Sequence, residues 1–252
     1  MRFIQIRLVA QGRISGPKTS VQPVPLRAKL LLSSSILPAL SFVFFGLIGV
    51  MDSHAWDMNA LVAGLQRRYA SVETVAGDFQ QTYRAPGIDQ IESGVFRMKR
   101  PGFMRWEYRQ PEEKLFVADG HEAFLYVPRD RQVTIQSFSA SDIHGTPLEF
   151  LLGGADIKKN FSVMPESGFR PIAEHTVLLR LIPRSGGGDY DFLVIEIDPN
   201  TFELRRIIIR EHGGNTSEFV LTNVIVNTKM ENKEFQFKPP RGIEVVRLKN
   251  EQ

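Results

Sequence analysis

The sequence contains no cysteine. No disulfide can therefore cross-link the fold, and packing alone must hold the protein together even in a compartment where disulfides form. A bacterial lipoprotein also needs a cysteine at the end of its signal peptide to receive its lipid. We therefore expect a protein that is freely soluble after export and carries no lipid of its own.

A large net charge is also missing from most of the chain. Six of the 31 basic residues and one of the 28 acidic residues lie in residues 1–55, which leaves 25 basic and 27 acidic residues in 56–252. The basic character of the whole chain is largely a property of its first 55 residues. The remainder has a formal charge of −2 and no electrostatic reason to bind nucleic acid, so we predict no nucleic-acid partner.

Patterns that carry catalytic chemistry are scarce. No serine has the Gly-x-Ser-x-Gly setting of a nucleophile elbow. The glycine run at 186–188 leads into Asp189 and not into the Lys-Ser/Thr pair of a phosphate loop. The histidines after residue 55 stand far apart, without metal-ligand spacing: His121, His144, His175 and His212. We therefore predict that the protein is not an enzyme and holds neither a metal ion nor another cofactor.

The first 55 residues have the order of a secretory leader. Arg27 and Lys29 precede an apolar run over 30–50, and a polar stretch then ends in Ala55. This order is typical of a signal peptide, here with cleavage after Ala55. The alternative is a retained membrane anchor, because the run approaches the ~20 residues that span a bilayer. A proline and several serines inside the run favour cleavage. We predict an N-terminal extension and signal peptide in 1–55, and a single domain in 56–252.

After the leader, the sequence predicts one helix followed by short strands. Apolar residues at spacings of three and four indicate a helix over 58–69. The period then drops to two, and turn signals separate the segments, which is typical of an antiparallel meander. A short helix interrupts the strands after Thr146-Pro147. The predicted strands are 75–83, Ile91–Arg100, Phe103–Arg109, Lys114–Asp119, Glu122–Pro128, Arg131–Phe138, Thr176–Pro183, Asp191–Asp198, Phe202–Glu211, Thr216–Val226, Phe235–Lys238 and Ile243–Val246.

Several predicted strands are apolar on both faces. Leu193 and Ile195, for example, alternate with Phe192 and Val194. A sheet with one face in water should alternate cleanly, so part of this sheet must be covered on both sides. The fold class is therefore mainly β (α+β), with helices over the concavity of a curved antiparallel sheet. Periodicity alone leaves open whether that concavity is an apolar cavity or an ordinary filled core.

The most distinctive segment is GVFRMKRPGFMRWEY, residues 94–108. It predicts two strands joined by a Pro-Gly turn, with mainly apolar residues on one face of each. Arg100 is anomalous, because it is a cation that extends a largely apolar stripe. The residue pattern allows two interpretations: a functional cation, or an arginine at a strand end that reaches solvent past its own apolar stem.

This segment resembles the signature of the LolA family of outer-membrane lipoprotein carrier proteins: Gly-x-Phe, Lys-Arg-Pro-Gly and Arg-Trp-x-Tyr, then Pro and Asp-Gly. Further matches follow in the family's order and extend the resemblance to about residues 60–246: Phe79-Gln80/Gln81, Phe124-x-Tyr126-x-Pro128, Thr146-Pro147 and Phe235-x-Phe237-x-Pro239-Pro240-x-Gly242-Ile243. Two positions depart from the commonest pattern. Met104 stands where a Phe often occurs, and Glu211-His212 replaces a more usual acidic-led turn. Methionine is apolar and adaptable, so the first change need not weaken lipid binding.

The resemblance implies an incomplete antiparallel β-barrel with helices covering an apolar cavity. It also implies a periplasmic carrier that takes triacylated lipoproteins from an inner-membrane ABC lipoprotein-release complex to an outer-membrane lipoprotein acceptor. Arg100 would latch the lid of the empty carrier by donating hydrogen bonds to carbonyls of the covering helices. The residues expected to bind the acyl chains are Phe96, Met98, Met104, Trp106, Phe116 and Phe124 in the sheet, and Leu148 and Leu151 in the lid.

Two other functions fit the same scaffold. One is a periplasmic regulatory domain that senses a lipid or a protein signal. The other is an outer-membrane acceptor of similar fold, which the missing lipidation cysteine disfavours.

Overall fold

In a computed structural model of the chain, the described residues are 56–143, 146–152, 154, 156–185 and 190–248. The predicted signal peptide with its cleavage position, His144 and the glycine run at 186–188 lie outside these ranges. Within them, no helix has both the length and the apolar character that crossing a bilayer requires.

Helix α1 (Met58–Ala70) begins where the side chain of Asp57 accepts a hydrogen bond from the backbone N–H of Asn59, at 2.9 Å. Its buried residues include Leu61, Val62, Leu65 and Tyr69, which are the apolar positions that predicted the helix. The prediction of this helix is confirmed.

Helix α1 is attached firmly to one side of the sheet. The Tyr69 hydroxyl accepts a hydrogen bond from the backbone N–H of Leu204, at 3.2 Å. Gly64 lets the ring of Phe202 approach the helix, because a Cβ at position 64 would lie 2.2 Å from that ring. The helix is therefore a fixed part of the cover over the sheet.

Twelve strands form a single sheet: β1 (Thr74–Ala85), β2 (Ile88–Lys99), β3 (Phe103–Gln110), β4 (Lys114–Asp119), β5 (Glu122–Val127), β6 (Gln132–Ser137), β7 (Phe161–Pro165), β8 (Val177–Pro183), β9 (Tyr190–Ile197), β10 (Leu204–Glu211), β11 (Thr216–Val226) and β12 (Glu244–Arg247). Their order is β12-β6-β5-β4-β3-β2-β1-β11-β10-β9-β8-β7. Every neighbouring pair is antiparallel except β12 and β6. Because β7 and β12 remain the two edges, the sheet does not close, as an incomplete barrel requires.

The sheet consists of two meanders, β1–β6 and β7–β11, which meet where β1 pairs with β11. Residues 139–160 connect the meanders, and we call them the lid segment. It contains the 310 helices Ala140–Ile143 and Pro147–Phe150, followed by the single-turn helix α2 (Ile157–Asn160). The short helix predicted after Thr146-Pro147 is therefore present, as a 310 turn.

Two parts of the sequence-based assignment need correction. Strand β7 was not predicted. The strand predicted at Phe235–Lys238 is wrong, because a 310 helix (Asn232–Phe235) begins that region. The side chain of Glu234 accepts a hydrogen bond from the backbone N–H of Glu231 at 2.7 Å, which favours a helical turn over an extended strand.

The sheet is covered on both faces. Its inner face packs against α1 and the lid segment in the main core. On the outer face, Phe237 and Ile243 cover a second core formed by Val117, Phe124, Val133 and Ile135. Phe169 and Phe192 pack against a third outer core, formed by Leu178, Val194 and Ile208. Phe237, Ile243 and Phe169 lie outside the helices and strands, so irregular segments provide part of the outer cover and two apolar faces can occur with few helices.

Candidate functional site

Five of the six sheet residues predicted to bind lipid lie together on the inner face. Met98 pairs with Met104, and Phe96 with Trp106, across β2 and β3. Trp106 in turn pairs with Phe116 of β4. All five belong to the main core that α1 covers. The alternation of side chains along the strands thus brings these residues into one apolar surface.

Phe124 does not belong to this surface, so its assignment to the lipid-binding set is corrected. It pairs with Val117, and both lie in the outer core, where the ring of Phe124 is 5.8 Å from that of Phe237. Phe116 pairs instead with Leu125, which packs against the main core. Register therefore places the two predicted phenylalanines on opposite faces.

Trp106 lies at the centre of an aromatic cluster. Its ring centroid is 4.8 Å from Phe79, 5.0 Å from Phe96 and 6.0 Å from Phe219. Only 5% of Trp106 is exposed. Phe219 comes from β11, which is distant in sequence, and no local pattern marks it as part of the site.

The lid segment completes the cover over the inner face. Ile143, Phe150, Leu151, Leu152 and Ile157 are buried against the main core, and Leu148 packs against it at partial exposure. Both residues predicted for the lid, Leu148 and Leu151, belong to this segment, and their contact with acyl chains stays a prediction.

The space beneath this cover is filled. Phe96, Met98, Met104 and Leu151 have no accessible surface, so they pack against other side chains. Periodicity left open whether this space is a cavity or a filled core. In this closed form of the protein, it is a filled core around these residues. A cleft of about 300 Å³ lies along the seam between α1 and the lid segment, and Leu65, Tyr69, Phe150 and Ile157 are among its lining residues.

Arg100 joins the two parts of the cover, the lid segment and α1. Its Nε donates a hydrogen bond to the carbonyl oxygen of Leu152 in the lid segment, at 2.7 Å. Its Nη2 donates to the carbonyl oxygen of Tyr69 in the last turn of α1, at 3.4 Å, where the helix dipole favours a cation. Glu73 lies 3.9 Å from Nη1, and 29% of the Arg100 side chain is exposed. Arg100 therefore binds carbonyls of the cover instead of simply extending into solvent.

A buried carboxyl in the lid segment acts on a tyrosine of the sheet. Burial, together with the negative charge of Glu149, raises the pKa of Tyr190 from 10 to about 12. Both residues are buried. Tyr190 begins β9, so this electrostatic contact links the lid segment to the second meander. The sequence carried no signal for it.

The inner face becomes polar away from the lid segment. The Tyr108 hydroxyl donates a hydrogen bond to Gln81 Oε1 at 2.9 Å, and Lys114 forms an ion pair with Glu92. Gln90 also donates to Glu92 Oε1, at 2.9 Å. We call these five residues the polar patch. They share the face of Phe96, because every second residue of β2 points to the same face and Glu92 lies four residues before Phe96. The apolar surface therefore ends at this patch.

Other charged side chains form ion pairs, as Arg206 does with Glu196 and Glu218. Within the described ranges, no three His, Asp or Glu side chains are grouped so that they could hold a metal ion. His212 Nδ1 lies within hydrogen-bond distance of Asp191 Oδ1, at 2.7 Å, and both side chains are largely exposed.

The chain was compared with known proteins. The family profile described as "Outer membrane lipoprotein carrier protein LolA" matches residues 70–238. An outer-membrane lipoprotein carrier protein from Bordetella avium is 32% identical over 181 residues, covering 71% of this chain and 83% of the relative. Another from Nitrosospira multiformis is 30% identical over 209 residues, covering 81% of this chain and 95% of the relative.

Among solved structures, a LolA superfamily protein from Nitrosomonas europaea is similar over 71% of this chain and 97% of its own. Its TM-score is 0.39 at 9% identity. The family profile alone spans well over half of the chain, and the two relatives are aligned over most of their own length. The chain therefore belongs to the LolA family of outer membrane lipoprotein carrier proteins.

Proposed function

We propose that this protein carries the acyl chains of lipoproteins from the inner membrane to the outer membrane. The observation that carries the proposal is an apolar inner face under a lid segment that Arg100 holds by hydrogen bonds. The family membership and the names of the relatives support the same function. The proposed location is the periplasm, reached through a signal peptide that is cleaved after Ala55.

The acyl chains would occupy the inner face once the lid segment lifts. The proposed lining consists of Phe96, Met98, Met104, Trp106 and Phe116 from the sheet and Leu148 and Leu151 from the lid segment. In the closed form these side chains pack against one another, so the cargo must separate them before it can bind. The polar patch would mark the depth at which an acyl chain stops, because methylenes gain nothing from covering buried polar groups.

A carrier of this kind needs a closed state that competes with its cargo. Burying one chain of ~15 methylenes contributes roughly 12 kcal/mol, and a rigid open pocket would hold such a chain too tightly to release it. If the protein must first break its own core packing, the net free energy of binding is only the difference between the gain from burying the chain and the cost of breaking that packing. The filled inner face of the empty protein therefore supports reversible binding.

Arg100 is the proposed latch of this closed state. Hydrogen bonds from a guanidinium to carbonyls are charge-assisted, and such bonds contribute about 1.5–3 kcal/mol each when well formed. The bonds to Leu152 and Tyr69 would break when the lid segment lifts. Arg100 thus adds to the free energy that favours closure and release over retention.

The proposed partners follow from this route. The cargo is a triacylated lipoprotein, the donor an inner-membrane ABC lipoprotein-release complex, and the recipient an outer-membrane lipoprotein acceptor.

A release assay tests the proposal. Protein comprising residues 56–252 is added to spheroplasts of the native organism that synthesise a triacylated lipoprotein. We expect a soluble complex of protein and cargo in the supernatant, and none without the protein. A cargo variant that lacks its acylated cysteine serves as the control and should not be recovered in a complex. Folded protein that released no cargo would contradict the proposal and favour the lipid- or signal-sensing alternative.

A further inference from the structure

The indole N–H of Trp106 is buried and has no hydrogen-bond partner among the residues that the structure describes. The rings of Phe79, Phe96 and Phe219 surround the indole and present only ring faces and C–H edges. A ring face is at best a weak acceptor for an N–H group. Buried donors in native proteins are normally paired, so this one calls for an explanation.

The polar patch on the same inner face provides a contrast. There, Tyr108 is hydrogen-bonded to Gln81, and Glu92 accepts from both Lys114 and Gln90. No buried polar atom of the patch lacks a hydrogen-bond partner that a ligand would have to supply. Trp106 Nε1 does lack one among the described residues, and Trp106 lies within the apolar surface that the proposed function assigns to acyl chains.

The chemistry of the donor narrows the class of acceptor. An indole N–H can only donate. A hydroxyl or a charged headgroup at the same place would bring donors or charge that this aromatic cluster cannot satisfy. An acyl carbonyl, in an ester or an amide, accepts a hydrogen bond and requires no acceptor in return. Each fatty acyl group carries one such oxygen next to its methylene chain.

We propose that Trp106 Nε1 donates a hydrogen bond to an acyl carbonyl oxygen of the bound lipid, so that the protein prefers acyl lipids to ether lipids with the same chains. This inference rests on the proposed function and makes it more specific. In the closed, empty protein the unpaired donor also weakens the packing of the inner face. Uptake of an acyl lipid would replace that unfavourable state with a hydrogen bond.

The test compares two lipids that differ only at the carbonyl. Vesicles contain either dimyristoyl phosphatidylcholine or its ditetradecyl ether analogue, each radiolabelled. Protein purified from cells that express the full chain is incubated with the vesicles, which are then sedimented, and the soluble protein–lipid complex is quantified. We expect the wild-type protein to bind the diester about three- to tenfold more tightly than the diether, the range that one net hydrogen bond supplies.

Two variants assign the preference to the indole N–H. Trp106→Phe keeps an aromatic ring but removes the donor, and we expect it to bind both lipids equally. Phe79→Leu alters a neighbouring ring of the same cluster, and we expect weaker binding of both lipids with the ester preference retained. A Trp106→Phe variant that still preferred the diester, or a wild-type protein without preference, would overturn the inference. Wild-type protein that bound neither lipid would also overturn the inference, whereas the proposed function is tested separately by the release of lipoprotein from spheroplasts.

A second measurement does not depend on the folding of any Trp106 variant. The chain has two tryptophans, and Trp56 is 47% exposed. Trp56→Phe therefore leaves a single indole N–H resonance in a ¹H–¹⁵N spectrum. We expect the proton of that resonance to move downfield when the diester binds and to move much less with the diether. Equal shifts with both lipids would contradict the proposed hydrogen bond.

Discussion

Phe116 and Phe124 lie on the adjacent strands β4 and β5 but on opposite faces of the sheet. Their exposures are nearly equal, at 8% and 6%. They are therefore a matched pair for locating the acyl chains. A photoreactive phenylalanine analogue at position 116 should cross-link to the acyl chain of a bound lipoprotein, and the same analogue at position 124 should not. Mass spectrometry of the lipid adducts makes the comparison, and equal cross-linking at both positions would rule out the inner face as the specific binding surface.

Arg100 provides the second prediction. Replacing it with leucine removes the hydrogen bonds to Leu152 and Tyr69 and weakens the closed state. We expect Arg100→Leu to lower the free energy of unfolding by only about 1–2 kcal/mol, to bind cargo more tightly and to transfer it more slowly. Urea denaturation and transfer of labelled lipoprotein to outer-membrane vesicles measure the two effects.

Arg97→Leu is the control for that variant. Arg97 lies near the end of β2, three residues before Arg100, and forms an ion pair with Glu107 instead of a bond to any described residue of the lid segment. It should transfer cargo at the wild-type rate. The latch hypothesis fails if Arg100→Leu also exchanges lipoprotein normally.

The ion pair in the polar patch supports a third prediction. Only 10% of the Glu92 side chain and 19% of the Lys114 side chain is exposed. Lys114→Met leaves a largely buried carboxylate and should cost roughly 2–4 kcal/mol, whereas adding Glu92→Leu should recover much of that loss. Urea denaturation of the two single variants and the double variant measures the coupling. The exposed pair of Arg129 and Glu112 is the control, and breaking it should change stability by less than about 1 kcal/mol.

The same double variant tests whether the polar patch limits chain depth. It extends the apolar part of the inner face beyond Phe116. We therefore expect its preference among lipids to shift toward longer acyl chains, measured by competition between chain lengths. An unchanged preference would mean that the patch does not set the depth of binding.

Tyr190 predicts a change in stability at alkaline pH. Its pKa in the folded protein is about 12, above its ordinary value of 10. The unfolded chain therefore loses the proton first, so the stability that Tyr190 contributes is complete below pH 10 and is lost as the pH rises toward 12. Tyr190→Phe should reduce the fall in unfolding free energy over this range by roughly 1–2 kcal/mol. An identical alkaline profile for Tyr190→Phe and wild type would exclude the contribution.

The sequence predicted most elements of the fold because their periodicity is local. Helix α1 and most strands follow directly from spacings of three to four or of two. Strand β7 was missed because Phe161–Pro165 is short and ends in a proline. The region around Phe235 was assigned to a strand because Phe235 and Phe237 alternate, but a helical turn that includes Glu231 and Glu234 overrides that alternation.

The site was predicted less completely, for a related reason. Alternation shows which residues of one strand share a face, but not which face of the next strand joins them. Which faces match depends on the register between the strands. Because Ala118 pairs with Ala123, Phe124 lies on the outer face. Phe219 and the contact between Glu149 and Tyr190 depend on tertiary proximity between distant segments. The unpaired donor of Trp106 can be recognised only once its neighbours are known.

The lid segment runs from β6, which lies next to one edge of the sheet, to β7, which is the opposite edge. It is therefore attached to the sheet at both ends, to a different meander at each, and cannot rotate outward about a single hinge. Under the proposed function, uncovering the inner face therefore requires the middle of the lid segment to bow outward or the two edges of the sheet to move apart. A cover that opens in either way stays attached to both meanders throughout the transport cycle.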